Sequence, residues 1–190
     1  MEGTIRTFVS IELPPEVRRI LLSGREPLEK KHPGLKWVDE KALHITLRFC
    51  GEAPSQRAEI YAESLGRVLK NRGFPSFSLI PGPPGGLPSL AAMRVLYAGL
   101  EGETQTLRSL AEAAEEAGER SGTEGSSRPF LPHITLARAR NPLRLPREEL
   151  PVFSPVPWRV NRVVLMKSTL LPSGPLYTPL YSWSLGEGEM

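Results

Sequence analysis

Two of the three histidines in this 190-residue chain open the same tetrapeptide, His44-Ile45-Thr46-Leu47 and His133-Ile134-Thr135-Leu136. An arginine follows each copy, Arg48 in the first and Arg138 in the second. A lone histidine on the polar face of a strand is usually just solvated. A repeated string built on so rare a residue type predicts instead two related halves, each giving one strand to a shared site. Two imidazoles with ordinary pKa values of about 6.5 divide acid and base duties well near neutral pH. One takes a proton from a nucleophile while the other hands one to a leaving oxygen. The hydroxyls of Thr46 and Thr135, with an arginine, suit the non-bridging oxygens of a phosphate. Phosphoryl transfer asks mainly for positioning and charge stabilisation, so this set works without a metal or cofactor. The two motifs are too alike for the residues to say which histidine is acid and which base.

Strand parity decides which side chains converge, because residues i and i+2 share a face. His44, Thr46 and Arg48 then point one way, with Leu43, Ile45, Leu47 and Phe49 toward a core. His133 and Thr135 share a face opposite Ile134 and Leu136. Strict alternation sends Arg138 to the Ile134 side, so it reaches the cleft only if the strand ends, twists or bulges near Ala137. Cys50 has the parity of His44, yet nothing else builds a Cys–His arrangement. His32 is expected on a surface loop, Trp37 in packing rather than stacked on a base, and Tyr177 either near the cleft or in the framework.

The elements that must carry these residues are legible from periodicity. Alternation predicts strands at Thr7 to Leu13, Lys36 to Val38, Leu43 to Phe49, Phe74 to Ile80, Val95 to Leu100, Pro132 to Ala139, Arg159 to Ser168 and Tyr181 to Leu185. Pro14-Pro15 opens a helix with Val17, Ile20, Leu21 and Leu28 on one face, and Pro54 opens another through Leu69. A third runs from about Thr104 to Glu119. Pro81 to Pro88 is expected as a stiff loop, including the glycines Gly82 to Gly86, with no lysine–serine pair after them to make a phosphate loop. Ser121 to Arg128 is expected as a polar loop. Interspersed strands and helices with short loops predict an α+β fold with antiparallel or mixed sheets. One domain is expected over residues 1–185, with a disordered tail at 186–190.

Composition narrows the classes. Hydrophobic residues make up 39% and charged residues 24%, and no apolar run reaches bilayer length. A net charge of +3 favours an anionic partner without the basic density of a nucleic-acid coat protein. A single cysteine rules out an intrachain disulfide, and the N-terminus lacks a signal-peptide pattern, so a cytoplasmic setting is expected.

The paired His-x-Thr motifs resemble the two-histidine phosphoesterase superfamily. Within it the chain is similar to the RNA 2',3'-cyclic phosphodiesterases, historically called 2'-5' RNA ligases. Supporting stretches are Arg6 to Pro14, Leu43 to Gly51, Arg94 to Leu100, Phe130 to Arg138 and Leu165 to Ser168. The resemblance spans nearly the whole chain in order. It implies a bilobal fold of two pseudo-symmetric lobes, with a central cleft between them and helices outside. It also implies His44 as proton donor and His133 as proton acceptor, with Thr46, Thr135, Arg48 and Arg138 holding the phosphate. The implied substrate is an RNA end or nucleotide carrying a 2',3'-cyclic phosphate, opened to a 2'-phosphate. Relatives are also credited with joining RNA ends, close to the reverse reaction. The alternatives are an enzyme for small cyclic nucleotides or ADP-ribose cyclic phosphate, and a non-catalytic RNA-end binding module. No metal, membrane or obligate protein partner is expected, and a monomer suffices because both motifs lie in one chain.

Overall fold

The computed structural model describes residues 3–123, 125, 129–172 and 174–186. The expected polar loop at 121–128 falls partly outside these residues, and the expected tail at 186–190 falls outside them except for Gly186.

The chain runs β1 (Thr4–Glu12), α1 (Pro15–Lys31), β2 (Lys36–Trp37), β3 (His44–Pro54), α2 (Ser55–Arg72) and β4 (Phe77–Leu87). It continues through β5 (Met93–Gly102), α3 (Thr104–Arg120), β6 (His133–Leu143), β7 (Trp158–Val160), β8 (Arg162–Leu171) and β9 (Gly174–Ser184). The strands form one curled sheet in the order β7-β4-β5-β6-β3-β1-β8-β9, with β2 added beside β6. Every described pairing is antiparallel. The architecture is α+β, as the interspersed pattern predicts.

The sheet order reads nearly the same outward from its middle. β3 and β6 meet there at the pair Ile45 and Ile134. β1 flanks one motif strand and β5 the other, so the duplicated tetrapeptide sits on a pseudo-two-fold. Both isoleucines are fully buried on the helix side, among Val9, Ile11, Leu47, Leu96, Ala98 and Leu136. Each such side chain contributes about 1.5–3 kcal/mol by leaving water. The helices supply the other half of this core, through Val17, Leu21 and Leu28 of α1, Leu65 and Val68 of α2, and Leu107 and Leu110 of α3. Pro15 opens α1, where its missing N–H costs nothing. α2 ends on Gly73, whose φ of 63° is the left-handed C-terminal geometry that glycine adopts without strain.

Two expectations are corrected here. Pro81 to Leu87 is part of β4 rather than a loop. The strand bulges between Pro81 and Pro84, so Gly82 and Pro83 are outside the ladder, and pairing resumes from Pro84 to Leu87. The final strand begins at Gly174, well before Tyr181, and pairs with β8 over its whole length. No described helix is long and apolar enough to cross a membrane.

Candidate active site

The face of the sheet away from the main core carries His44, Thr46, His133 and Thr135. Ile45 stands opposite Ile134, and antiparallel pairing therefore runs His44 toward Thr135 and Thr46 toward His133. Each histidine is oriented in the same way. His44 Nδ1 lies 2.7 Å from the Ala42 carbonyl and His133 Nδ1 lies 2.7 Å from the Leu131 carbonyl. A carbonyl only accepts, so in both rings Nδ1 carries the proton and Nε2 is the working nitrogen. His44 Nε2 lies 2.8 Å from Thr46 Oγ1, which donates to the neutral ring.

Aromatic rings brace both imidazoles. Tyr97 meets His133 edge-on with centroids 5.5 Å apart. Tyr177 meets His44 at 5.2 Å, and Phe8 lies 4.9 Å from the same ring. Phe8, Val164 and Met166 form a small second core against Tyr177 on this face. Gly85 fits its neighbour closely: a Cβ there would stand 2.3 Å from Tyr97 Oη, so only glycine leaves that ring its place beside His133.

The arginines are placed by a bulge in each motif strand. Opposite β3, Val9 pairs with Arg48 and Ser10 with Thr46, leaving Leu47 as the extra residue. Opposite β6, Leu96 pairs with Ala137 and Tyr97 with Thr135, leaving Leu136 extra. One extra residue reverses the parity of the residues that follow, up to the next shift in each strand, which lies at Cys50 in β3 and beyond Arg138 in β6. Arg138 therefore comes to the exposed cleft side, and its charge bears on both His44 and Tyr177. Arg48 turns to the helix side, which corrects its expected place beside His44 and Thr46. Its residue is 2% exposed, Nε donates to Glu115 Oε2 at 2.9 Å, and the guanidinium lies over the Tyr61 ring. The position matching Arg138 in the first motif is Phe49, 69% exposed and 6.2 Å from Phe8. Alternation hid Phe49 in the core; the bulge puts it on the cleft face.

Cys50 follows Arg48 onto the helix side, and burial pushes its thiol up, away from a nucleophile's range, although Arg48 works the other way. His32 is tied to Glu149, with Nε2 2.8 Å from Oε2. Trp37 is a packing residue: its Nε1 donates to the His32 carbonyl and its ring lies under Arg25.

Burial lowers the His44 pKa, and the positive fields of His133 and Arg138 add to that, against the Ala42 hydrogen bond. A bound phosphate carries the opposite charge. In the free protein His44 is expected to titrate below the ordinary histidine range, and inorganic phosphate is expected to move it upward. Histidine-resolved NMR titration measures both; an unmoved His44 would show that the anion does not seat between the motifs.

Comparison with known proteins agrees with this fold. The family model described as the 2'-5' RNA ligase superfamily matches residues 13–170. The RNA 2',3'-cyclic phosphodiesterase of Thermotoga maritima is 34% identical over 180 residues, covering 93% of this chain and 94% of that protein. The solved structure of TT0787 of Thermus thermophilus superposes with a TM-score of 0.81 at 35% identity, covering 97% of this chain and all of the other. E. coli LigT complexed with 3'-AMP gives a TM-score of 0.79 at 30% identity, over 97% of this chain and all of that one.

Proposed function

Since the chain belongs to the 2'-5' RNA ligase superfamily, we propose that it is an RNA 2',3'-cyclic phosphodiesterase that opens a terminal cyclic phosphate to a 2'-phosphate. The observation that carries this reading is the pair of imidazoles fixed alike, each with Nδ1 on a local carbonyl and Nε2 left as the proton-transfer nitrogen, that of His44 beside the Thr46 hydroxyl, on strands that meet at Ile45 and Ile134.

In this reading His133 Nε2 takes a proton from water as the water attacks phosphorus in line. His44 Nε2 gives its proton to the departing 3' oxygen. Thr46, Thr135 and Arg138 hold the non-bridging oxygens so that attacking and leaving oxygens stand on opposite sides. The charge of the bound phosphate raises His44 toward the protonated form an acid needs, offsetting the depression that burial imposes in the free protein. Phe49, exposed on the same face as Arg138, offers a ring on which the terminal base stacks. Arg48 has no part in contacting phosphate; it holds α3 to the back of the motif strand.

A substrate panel tests the reading. Purified protein in EDTA is expected to hydrolyse RNA oligomers ending in a 2',3'-cyclic phosphate, and more efficiently than ADP-ribose cyclic phosphate. Two histidines and two hydroxyls suffice for the chemistry, so chelation leaves the rate unchanged. Loss of activity in EDTA restored by a divalent metal, or a preference for the ADP-ribose substrate, contradicts the proposal.

A further inference from the structure

The two motif strands are flanked symmetrically, but the flanks are filled differently. Tyr97 of β5 stands opposite Thr135, and Ser10 of β1 stands opposite Thr46. The tyrosine fills its side with a ring against His133. The serine leaves its side open, and a cavity of about 270 Å³ lies there with His44, Phe8 and Tyr177 as one wall. The lining of the same cavity includes Arg18, Lys41 and Arg162.

This cavity holds polar groups without a use in the framework. Ser10 is fully buried and its Oγ has no partner among the described residues. Arg18 Nε, also buried, has none either. Buried polar atoms are nearly always satisfied, so two orphans on one cavity point to a ligand that supplies acceptors. The charges specify the ligand's sign. Three cationic side chains face one carboxylate, Glu12, which is already bonded to Arg162. Hydroxyl, guanidinium and ammonium are donors for an oxyanion.

In the hydrolytic reading the phosphate under attack sits between the two motifs, toward His133. In an RNA strand the next anion is the 5'-phosphate of the terminal nucleotide, separated from the cyclic phosphorus by the ribose. We propose that the Ser10–Arg18–Lys41 cavity receives this 5'-phosphate, so that the protein distinguishes a cyclic end on an RNA strand from a free cyclic nucleoside phosphate. Phosphate contacts of this kind set register without reading sequence. Arg162, held by Glu12, lines the same cavity. The inference rests on the hydrolytic reading above and adds a determinant of substrate class to it.

The test compares two probes that differ only in the proposed anion: adenosine 2',3'-cyclic phosphate with a 5'-hydroxyl, and the same nucleotide with a 5'-phosphate. An RNA oligomer serves as the reference. The native protein is expected to favour the 5'-phosphorylated probe at least tenfold in kcat/KM, mainly through KM. That ratio is expected to collapse toward one in Arg18→Gln and to fall severalfold in Ser10→Ala, with Arg18→Lys retaining part of it. Equal kcat/KM for the two probes in the native protein overturns the inference, as does a ratio unchanged in both Arg18→Gln and Ser10→Ala. Failure to hydrolyse either probe and the oligomer as well overturns the hydrolytic reading itself, and the subsite falls with it.

Discussion

Replacing either motif histidine with alanine is expected to lower kcat by about 10² to 10⁴, the contribution of a positioned general acid or base. The fold is expected to survive. Each ring faces the cleft and gives up a hydrogen bond to a local carbonyl, worth about 1 kcal/mol, or roughly 2–4 °C in a chain of this size, and His44 gives up the Thr46 bond as well. Steady-state kinetics beside a thermal melt separate the two effects. The direction of proton transfer adds a second test. A substrate with an activated leaving group needs little protonation, so it should partly rescue His44→Ala and leave His133→Ala inactive. Rescue of the other variant would exchange the roles, and near-full activity in either variant at neutral pH would remove the two-histidine mechanism.

Arg48 and Arg138 are expected to fail in opposite ways. Arg48→Ala breaks the ion pair to Glu115, strips the cation from the Tyr61 ring and leaves a void beside Gly118. Breaking a buried pair costs about 3–5 kcal/mol, and the solvent still reaching Glu115, whose side chain is 30% exposed, brings this to about 2–4 kcal/mol. The melt should fall by roughly 5–15 °C, with kcat changed little at temperatures where the protein remains folded. Arg138→Ala removes an exposed cation from the cleft. Its melt should hold, while kcat falls by about 10² to 10³, as for loss of one donor to a developing charge. A stable Arg48→Ala with lost turnover would put that side chain back at the phosphate and the bulge assignment in error.

The same bulges explain what is legible in the sequence and what is not. The histidines and threonines precede the extra residue in each strand, so simple alternation places them on one face. Beyond Leu47 and Leu136 the alternation reverses, and a bulge leaves no mark in the residue types. Alternation therefore puts Arg48, Phe49 and Cys50 on the wrong faces, and it brings Arg138 to the cleft only through such a distortion. The Pro81 to Leu87 stretch misleads for another reason. Proline and glycine are poor strand residues by propensity, but here Gly82 and Pro83 sit in a bulge and Gly85 makes room for Tyr97. Tyr97 itself carries a signal that alternation could have used. It lies two residues from Val95 and Gly99 on the strand flanking the second motif, with Leu96 and Ala98 buried on either side. Its partnership with His133 depends on a pairing between β5 and β6 that residue patterns do not specify.

With His133 as base and His44 as acid, water enters from the His133 side and a 2',3'-cyclic end leaves the cleft as a 2'-phosphate. Phosphorus NMR of a single-product digest tests it most directly, using an RNA oligomer with a 2',3'-cyclic phosphate, purified protein and EDTA throughout. The cyclic resonance is expected to be replaced by that of a 2'-phosphate beside a free 3'-hydroxyl. A 3'-phosphate as the main product would contradict it, because the substrate would then lie reversed across the pseudo-two-fold, with His44 as the base.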